Sequence, residues 1–262
     1  MSSELFSRLV VPDLAGKVVL VTGGSTGIGA ALVSAYSAQG CRVGLHFNAS
    51  SDAATTLAQQ IAEKGGDVFL VQGDLSIGAE ARRVVEETAS HFGRLDGLVN
   101  NAGGMLGRVP YADLEEAHYD RVMDLNCRSV VEATRAALPW LKRQGGFVVS
   151  TSSVAARNGG GGGAGLYASA KAFVSNYTRG LAKEVVGHGI RVNAVAPGVI
   201  LTPFHDRYSN EAQMAAMVAT IPMGRAATPE ECVGAYLFLS SDLLSGYITG
   251  QILEVNGGQL MP

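Results

Sequence analysis

The chain has 262 residues, of which 47% are hydrophobic and 16% are charged, with a net charge of -3 at neutral pH. This length fits one large α/β domain spanning residues 1–262, and the apolar fraction supports a substantial core. The small net charge and the aromatic fraction of 6% argue against a nucleic-acid-binding surface. No run of about 18 apolar residues predicts a membrane span, and residues 1–17 lack the apolar segment of a signal peptide.

The cysteines and histidines predict neither disulfides nor a metal site. Cys41, Cys127 and Cys232 are odd in number and far apart along the chain. A disulfide framework is therefore not expected, and a reducing cytoplasm is the simpler compartment. The five histidines show no ligand-like spacing to cysteines or carboxylates, so no metal is expected.

Short β-branched runs alternate along the chain with longer segments of helical character. The predicted strands are Lys17–Thr22, Arg42–Phe47, Asp67–Gln72, Leu98–Asn100, Phe147–Thr151, Ile190–Ala196 and Ile252–Val255. The predicted helices are Ile28–Gln39, Ala53–Lys64, Ala79–Phe92, Glu115–Arg143, Tyr167–Val186 and Glu230–Ser240. Several strands are almost wholly apolar, as parallel strands covered on both faces are. The alternation predicts an α/β fold with a doubly wound, seven-stranded parallel sheet and helices on both faces.

Two stretches interrupt this alternation. Gly159–Gly163 is a run of five glycines between a strand and a helix, which predicts a mobile surface loop rather than an interdomain linker. Residues 202–228 show no strand pattern and contain Pro203, Pro222 and Gly224. They are long enough to form a lid over a substrate site, although an ordinary surface helix explains them almost as well.

A glycine-rich segment follows the first predicted strand. The sequence VVLVTGGSTGIGAALVSAY places Gly23, Gly24, Gly27 and Gly29 between that strand and the next helix. Glycine is needed where the backbone leaves ordinary dihedral space and approaches a pyrophosphate, and the helix amides then face the phosphates. The spacing differs from the G-x-G-x-x-G pattern, and a structural turn is the alternative. The position inside a βαβ unit favours a dinucleotide site.

The end of the second predicted strand bears on which nicotinamide dinucleotide is used. An acidic side chain there usually accepts the ribose hydroxyls of NAD. Here the strand ends in the sequence HFNASS, with no acid before Asp52, so nothing repels a 2′-phosphate. Asn48, Ser50 and Ser51 could bind that phosphate, although no arginine stands there. NADP(H) is therefore favoured, NAD(H) is the alternative, and Phe47→Asp is expected to shift preference towards NAD.

Tyr167 and Lys171 lie four residues apart at the start of a predicted helix and therefore share one face. Ser153 ends the preceding strand, where open α/β sheets place their ligands. Tyrosine titrates near pH 10, and a nearby ammonium is expected to lower that value and make the phenol a usable proton donor. A serine hydroxyl would hold the substrate oxygen. Ser152 is the alternative serine, and strand geometry allows only one of the two to reach the substrate.

In these motifs and their order the chain resembles the short-chain dehydrogenase/reductase family over roughly Leu14 to Gly258. The resemblance rests on Thr22-Gly23-Gly24-Ser25-Thr26-Gly27-Ile28-Gly29, Asp74-Leu75, Asn100-Asn101-Ala102-Gly103, Asn126, Ser153, Tyr167-x-x-x-Lys171 and Pro197-Gly198. It implies a single-domain Rossmann fold and an NAD(P)-dependent oxidoreductase that moves a hydride between nicotinamide and a carbonyl or secondary alcohol. It also implies a homotetramer that packs Glu115–Arg143 and Tyr167–Val186 against symmetry mates.

The resemblance also implies a role for each matching residue. Tyr167 would be the acid/base, Lys171 would bind the nicotinamide ribose and tune Tyr167, and Ser153 would orient the substrate. Asn126 would interrupt a long helix and hold a water in the proton relay, with a simple helix kink as the alternative. The expected cofactor-binding residues are Gly23, Ser25, Thr26, Gly27, Ile28, Gly29, Asn48, Asp74, Leu75, Asn101, Ala102, Gly103, Tyr167, Lys171, Pro197, Gly198, Ile200 and Thr202.

Some of these residues carry a narrower expectation. Asp74 would contact the adenine, or would be only a turn residue. Ile200 and Thr202 would fix the carboxamide ring. The expected substrate pocket contains Gly104, Met105, Leu106, Val154, Arg157, Phe204, His205 and Tyr208. Arg157 could attract an anionic substrate, but a solvated loop arginine is favoured, and His205 could contact substrate or only cap the lid.

Three functions remain open on these residues. The leading one is reduction of a 3-oxoacyl-type or other small ketone, and the runner-up is a sugar or polyol dehydrogenase. A dinucleotide-sensing protein without catalysis is the alternative of another class, because a fold alone does not fix function. Retention of Tyr167, Lys171, Ser153 and Asn126 argues against the sensor. The partner is a small molecule, with no nucleic acid and no membrane.

Overall fold

The computed structural model describes residues 10–262. The strands are β1 Val18–Val21, β2 Arg42–Phe47, β3 Asp67–Gln72, β4 Gly97–Asn100, β5 Gly146–Thr151, β6 Ile190–Pro197 and β7 Ile252–Val255. The helices are α1 Gly27–Ala38, α2 Ser51–Ala62, α3 Gly78–Phe92, α4 Glu116–Met123, α5 Ser129–Leu141, α6 Ala155–Asn158, α7 Gly165–Val185, α8 Pro203–Tyr208, α9 Glu211–Ala219, α10 Pro229–Ser240 and α11 Asp242–Ser245.

All seven strands form one parallel sheet in the order β3-β2-β1-β4-β5-β6-β7. The predicted seven-stranded, doubly wound Rossmann fold is therefore confirmed. The chain starts in the middle of the sheet, builds outwards to β3, and then returns to build from β4 to β7. Because the direction reverses between β1 and β4, the loops after these two strands diverge and open a crevice at their carboxyl ends.

Helices bury apolar side chains against both faces of the sheet. On one face, α1 and α10 contribute buried residues such as Val33, Tyr36 and Tyr236. On the other face, α3, α5 and α7 contribute residues such as Val84 and Leu181. The two fully buried tyrosines keep hydrogen-bond partners: the Tyr36 hydroxyl lies 2.7 Å from Ser240 Oγ, and the Tyr236 hydroxyl lies 2.7 Å from Thr151 Oγ1. These bonds remove the cost of burying polar atoms.

The predicted helix Glu115–Arg143 is interrupted in the structure. A π-helical turn, Asp124–Arg128, separates α4 from α5. Asn126 lies inside this turn, and its Nδ2 donates to the carbonyl of Val122 at 2.8 Å. An uninterrupted α-helix would use that carbonyl for the backbone N–H of Asn126 itself. The side chain thus takes the place of a backbone donor, which stabilises the break that the sequence predicts at this residue.

The two irregular stretches lie beside each other above the carboxyl ends of the strands. Residues 202–228 contain α8 and α9, and their only strand-like contact is an isolated parallel bridge between Ala227 and Ile200 within residues 10–262. Three glycines of Gly159–Gly163 have positive φ values, and the Gly163 carbonyl accepts a hydrogen bond from Val109 N at 2.9 Å. The run therefore packs against a neighbouring loop. Its predicted mobility stays a prediction.

Candidate active site

A cleft of about 650 Å³ lies over the carboxyl ends of the central strands. Its volume is within the usual range of small-molecule sites. The structure brings most of the predicted site residues into its lining, namely Gly23, Ser25, Thr26, Gly27, Ile28, Gly29, Asn48, Leu75, Asn101, Ala102, Gly103, Ser153, Tyr167, Lys171, Pro197, Gly198, Ile200 and Thr202. Of the predicted catalytic and cofactor-binding residues, only Asp74 and Asn126 do not line it.

The glycine loop is shaped by close backbone contacts. Gly23 and Gly27 have φ values of 64° and 55°, which other residues rarely adopt. A Cβ atom on Gly23 would lie 3.1 Å from Ala102 Cα, and one on Gly27 would lie 3.1 Å from Thr202 Cγ2. A Cβ on Gly29 would overlap the Gly23 carbonyl oxygen. The loop can therefore fold tightly enough to bring backbone amides to the cleft only with glycine at these positions.

The start of α1 faces the cleft with free backbone donors. Thr26 precedes the helix and makes no side-chain capping bond. The first N–H groups of a helix have no intrahelical partners, and they carry a partial positive charge. Thr26, Gly27 and Ile28 line the cleft at this point. This cradle fits a diphosphate, as the glycine pattern predicts.

His46 anchors the glycine loop, a feature that the sequence analysis missed. Its Nδ1 accepts a hydrogen bond from Gly23 N at 2.9 Å, and its Nε2 lies 3.0 Å from the Gly73 carbonyl. The ring is only 2% exposed. Because Nδ1 must be unprotonated to accept, the proton is on Nε2, which donates to Gly73. Burial, followed by the charge of Arg83, lowers the pKa of His46, while the Gly73 bond and Asp74 oppose this shift.

Thr22 and Asn101 hold the same loop from the other side. Thr22 Oγ1 accepts hydrogen bonds from the backbone N–H groups of Asn101 and Ala102, at 2.9 and 3.0 Å. Asn101 Nδ2 donates to the carbonyls of Thr22 and Gly23. The loops after β1 and β4 are thereby fixed to each other across the switch point. In the sequence, these residues were visible only as parts of motifs.

At the end of β2 the structure separates two neighbouring side chains. Phe47 is 7% exposed and packs in the core with Val43 and Leu45, because alternate residues of a strand share a face. Asn48 is exposed and lines the cleft. Phe47→Asp would therefore place a carboxylate in apolar surroundings, and its effect on cofactor preference stays a prediction. Asn48 is the residue that faces the cleft.

Ser153, Tyr167 and Lys171 converge above β5. Lys171 is 3% exposed, and its Nζ donates to the Thr151 carbonyl at 2.9 Å. Nζ lies 5.7 Å from the centroid of the Tyr167 ring, within the range of a cation–π contact. A side-chain hydrogen bond joins Tyr167 to Ser153. Ser153 Oγ also accepts from Ala155 N at 3.1 Å, which orients the hydroxyl.

Ser152 points away from this group. Its hydroxyl donates to the Lys171 carbonyl at 3.1 Å and lies 2.7 Å from Ser175 Oγ. The side chain is buried at 2% exposure between β5 and α7. Of the two serines, Ser153 therefore contacts Tyr167, as the sequence analysis favours, and Ser152 holds α7 against the sheet.

Burial sets the protonation of the tyrosine and the lysine. Desolvation raises the pKa of Tyr167 to about 12, and the hydrogen bond with Ser153 opposes this rise. Desolvation lowers the pKa of Lys171 to about 8, and the Cys127 thiol acts in the opposite direction. The expected lowering of the tyrosine pKa by the ammonium is not found in the protein alone, because desolvation of the phenolate dominates and only the Ser153 hydrogen bond opposes it. At neutral pH Tyr167 is a protonated phenol.

Asn126 lies directly behind this group rather than in the cleft lining. Besides donating to Val122, its Nδ2 donates to the Gly104 carbonyl at 2.8 Å, and its Oδ1 accepts from Gly104 N at 3.1 Å. A Cβ on Gly103 would lie 2.7 Å from Asn126 Oδ1 and 3.0 Å from Lys171 Nζ. Asn126 thus fixes the loop after β4 against the lysine. A water held there stays a prediction.

Asp74 forms a turn in the structure. Its Oδ1 accepts hydrogen bonds from Ser76 N at 3.0 Å and from Ser76 Oγ at 2.7 Å. The adjacent Leu75 lines the cleft instead. The turn role that the sequence analysis kept as the alternative is therefore present, and the adenine contact stays a prediction.

The expected substrate pocket is only partly correct. Met105, Val154, Phe204 and His205 line the cleft, whereas Gly104, Leu106, Arg157 and Tyr208 do not. The Phe204 ring contacts the Tyr167 ring, with 5.5 Å between centroids. This contact places α8 over the catalytic tyrosine candidate.

Arg157 does not line the cleft, and it is exposed, as the favoured prediction of a solvated arginine expects, although it lies on α6 rather than in a loop. Its Nε lies 3.2 Å from Glu254 Oε1 on β7, in a half-buried ion pair. Two other arginines, Arg108 and Arg207, line the cleft. No sequence pattern indicated them, because loop arginines acquire a position only from the packing of the loops.

Within residues 10–262, no group of three or more potential ligand side chains could hold a metal ion. The same residues contain no helix that is long and apolar enough to cross a membrane. Cys41, Cys127 and Cys232 are free and buried.

Comparison with known proteins agrees with this geometry. Residues 23–259 match the sequence model of a family described as enoyl-(acyl carrier protein) reductase. A 3-oxoacyl-[acyl-carrier-protein] reductase from Synechocystis sp. is 37% identical over 253 residues, covering 95% of this chain and 98% of that protein. The chain belongs to the short-chain dehydrogenase/reductase family.

Two solved structures have the same fold with a nicotinamide dinucleotide bound. The NADH-dependent reductase A1-R′ complexed with NAD has a TM-score of 0.85 and 40% identity, covering 98% of this chain and 100% of that one. A short-chain dehydrogenase from Burkholderia cenocepacia in complex with NADP has a TM-score of 0.88 and 32% identity, covering 94% and 99%. This protein is an NAD(P)-dependent oxidoreductase acting on carbonyl or CH–OH groups.

Proposed function

We propose that the protein reduces a small ketone of the 3-oxoacyl type or a related carbonyl compound. The observation that carries this proposal is the protonated Tyr167 beside Ser153, in the same cleft as the glycine loop. A protonated phenol is the form that gives a proton to a developing alkoxide, which is the proton transfer that ketone reduction requires. A sugar or polyol dehydrogenase is the second candidate, because polar Asn158, His205 and Gln213 also line the cleft.

The cleft fits a nicotinamide dinucleotide along its whole length. The glycine loop and the start of α1 would hold the diphosphate, and Pro197, Gly198, Ile200 and Thr202 would border the nicotinamide end. When bound, the nicotinamide supplies or accepts the hydride. Lys171, fixed by Thr151, would bind the nicotinamide ribose and hold positive charge behind Tyr167.

The protein's own side chains would handle the carbonyl oxygen and its proton. Ser153 would donate a hydrogen bond to that oxygen, and Tyr167 would transfer its hydroxyl proton to the same atom. These donors are preorganised by Ala155 N and by burial, so that they lose little order when substrate binds. Asn126 would keep Lys171 and the loop after β4 in register through its bonds to Gly104.

The experiment that tests this function is an initial-rate screen of ketones, sugars and acyl thioesters with NADH and with NADPH. We expect the highest kcat/KM for small ketones or 3-oxoacyl thioesters. A sugar or polyol as the best substrate would establish the second candidate instead. Cofactor binding without turnover on any of these compounds would indicate the non-catalytic sensor.

We propose NADP(H) as the preferred cofactor, with NAD(H) as the alternative. Asn48 and Ser50 line the cleft at the end of β2, and the first turn of α2 begins there without a side-chain cap. Free helix amides can bind a 2′-phosphate. Asp52, the first acidic residue after β2 in the sequence, is exposed and does not line the cleft, so it would not repel that phosphate. The NAD-bound relative favours the alternative.

Replacing Asn48 by aspartate is expected to shift the ratio of kcat/KM for NADPH and NADH towards NADH by about tenfold or more. The new carboxylate would repel a 2′-phosphate and accept the ribose hydroxyls, and about 1.4 kcal/mol equals tenfold. Asn48→Arg is the matched variant and is expected to favour NADPH. An unchanged ratio in both variants would mean that this strand end does not meet the ribose.

We further propose that the chain, predicted as one domain over residues 1–262 of which 1–9 lie outside the described residues, uses residues 202–228 as the substrate lid. Phe204 contacts Tyr167, and lid residues His205, Gln213 and Met217 line the cleft, which supports this assignment.

The three free, buried thiols support a reducing cytoplasmic compartment.

We propose a homotetramer, in which α5 and α7 pack against symmetry mates. A groove between these helices is lined by apolar and aromatic residues including Leu138, Phe173 and Tyr177, and Phe173 is 40% exposed. Sedimentation equilibrium is expected to give four times the chain mass of 27.1 kDa. Phe173→Glu is expected to lower that mass, because it places charge in the apolar contact. A wild-type mass of one chain would contradict the proposal.

A further inference from the structure

The charged side chains that line the cleft are all cationic within the described part of the chain. They are Arg108, Lys171 and Arg207, and no aspartate or glutamate is among the lining residues. The chain as a whole has a net charge of -3, so this positive lining is a local feature. Lys171 is bound to Thr151, and the glycine loop already supplies amides for a diphosphate. The two arginines need a different explanation.

Arg108 lies at the tyrosine end of the cleft. Its Nε donates to the Tyr208 carbonyl at 2.6 Å, and its Nη1 donates to the Gly162 carbonyl at 3.0 Å. The Tyr208 ring contacts Phe204 at 5.0 Å between centroids, and Phe204 contacts Tyr167. Arg108 is thus tied to the lid and to the glycine run, on the side where a substrate would meet Tyr167.

The charge of Arg108 is not neutralised by the protein. Arginines elsewhere, such as Arg94 and Arg157, are paired with carboxylates, whereas neither Arg108 nor Arg207 forms an ion pair within residues 10–262. A guanidinium has five N–H donors. Arg108 uses three of them, on Tyr208, Gly162 and, at 3.5 Å, Ser209 Oγ. Two donors therefore remain for a ligand.

The neighbouring histidine responds to this charge. Burial and then Arg108 lower the pKa of His205, and Asp206 opposes them more weakly. Asp206 is exposed on α8 and does not line the cleft. The substrate end of the cleft therefore has a positive electrostatic potential and free N–H donors. The low-dielectric protein walls concentrate this potential inside the cleft.

We propose that Arg108 and Arg207 form an anion subsite that selects ketones carrying a carboxylate. This inference rests on the proposed ketone reduction and names the substrate class for it. Arg108 would bind a carboxylate oxygen through its two free donors, because a planar fork of N–H groups matches a carboxylate. Arg207, exposed on the lid next to Tyr208, would add charge at the same opening. The carboxylate takes no part in the hydride step and acts only by positioning the ketone.

The test compares each keto acid with its neutral ester. Acetoacetate is paired with ethyl acetoacetate, and levulinate with methyl levulinate, using the preferred cofactor at saturation. We expect wild type to favour at least one acid over its ester by about tenfold in kcat/KM, the size of one or two charge-assisted hydrogen bonds. The preference is expected to fall as ionic strength rises, because Arg207 is exposed.

Arg108→Gln and Arg207→Gln are each expected to reduce the acid-to-ester ratio by about three- to tenfold, mainly through KM of the acid. Arg157→Gln is the matched control and is expected to leave the ratio unchanged, because Arg157 pairs with Glu254 outside the cleft. Arg108→Lys retains the charge, and it replaces Arg108→Gln if loss of the Tyr208 and Gly162 contacts prevents folding. Partial acid preference in Arg108→Lys, which keeps the charge without the planar fork, and loss in Arg207→Gln would support the proposal.

Three results would overturn the anion subsite while leaving ketone reduction intact: esters used as well as acids by wild type, equal losses on acid and ester in the variants, or weaker NAD(P)H binding as the only effect. Fluorescence titration of NADPH measures the last of these. A complete lack of turnover on all four ketones, with normal cofactor binding, would instead contradict the proposed function itself.

Discussion

Tyr167→Phe is expected to lower kcat by about 10²- to 10⁴-fold, the usual contribution of a positioned general acid. The substitution removes only the hydroxyl, and the ring keeps its contact with Phe204. We therefore expect the affinity for the cofactor to change little. Stopped-flow and steady-state rates on the best ketone, with fluorescence titration of the cofactor, measure both quantities. Equal, near-zero rates for wild type and variant on a broad carbonyl panel would favour the sensor.

The two adjacent serines provide a matched control for this result. Ser153→Ala is expected to lower kcat by about 10²- to 10³-fold, as loss of an oxyanion donor does. Ser152→Ala is expected to lower the melting temperature with a much smaller effect on kcat, because Ser152 bonds to Ser175 and to the Lys171 carbonyl. A larger loss of kcat in Ser152→Ala than in Ser153→Ala would reverse the assignment.

His46→Leu is expected to raise KM for the cofactor about tenfold or more and to lower the free energy of unfolding. The variant leaves the Gly23 N–H and the Gly73 carbonyl without their bonds, at a cost of about 1 to 3 kcal/mol for each buried group. Because Gly23 begins the loop that faces the diphosphate, part of this cost falls on cofactor binding. Isothermal titration with NADPH and chemical denaturation measure the two effects.

Conservative variants separate the two bonds of the imidazole. His46→Asn provides an acceptor where Nδ1 lies and is expected to restore much of the cofactor affinity. His46→Gln provides a donor near Nε2 and is expected to restore stability more than affinity. If asparagine and glutamine behaved alike, the specific bond to Gly23 would not control the loop.

The lowered pKa of His46 also gives a pH dependence with a defined sign. The unfolded chain binds a proton near the ordinary value of about 6.5, whereas the folded protein binds it only at lower pH. The stability contributed by neutral His46 is therefore complete above about pH 6.5 and is lost as pH falls below it. As pH falls from 7 to the lowered pKa of His46, the free energy of unfolding of the wild type should decrease more than that of His46→Asn.

Local sequence patterns determined much of the fold and the identity of the central residues. The apolar strands and the helical periodicity predicted the order of elements, because burial on two faces demands apolar runs in a parallel sheet. The glycine loop was visible for the same reason: Gly23 and Gly27 occupy backbone conformations and close contacts that other residues cannot. The interruption at Asn126 was also predicted, but its physical cause, a side chain replacing a backbone donor, is visible only in the tertiary structure.

Contacts between distant segments were decided only by the tertiary structure. Phe47 and Asn48 are neighbours in sequence, but strand alternation sends one into the core and the other to the cleft. Arg157, expected near substrate, pairs with Glu254 on the last strand, and Arg108 takes a place beside the lid. The pKa of Tyr167 is raised, whereas the sequence led us to expect a lowered value. The reason is that the sequence shows a nearby lysine but not the depth of burial.

The hydride chemistry was thus determined by the sequence, through the types and spacing of Tyr167, Lys171, Ser153 and the glycines, since each must sit at one defined place on a local element. The substrate end was decided by the tertiary structure alone. It is assembled from the loop after β4, the glycine run and the lid, three segments far apart in the chain. Their mutual positions depend on long-range packing and hydrogen bonds such as Arg108 to Tyr208, which no local pattern records.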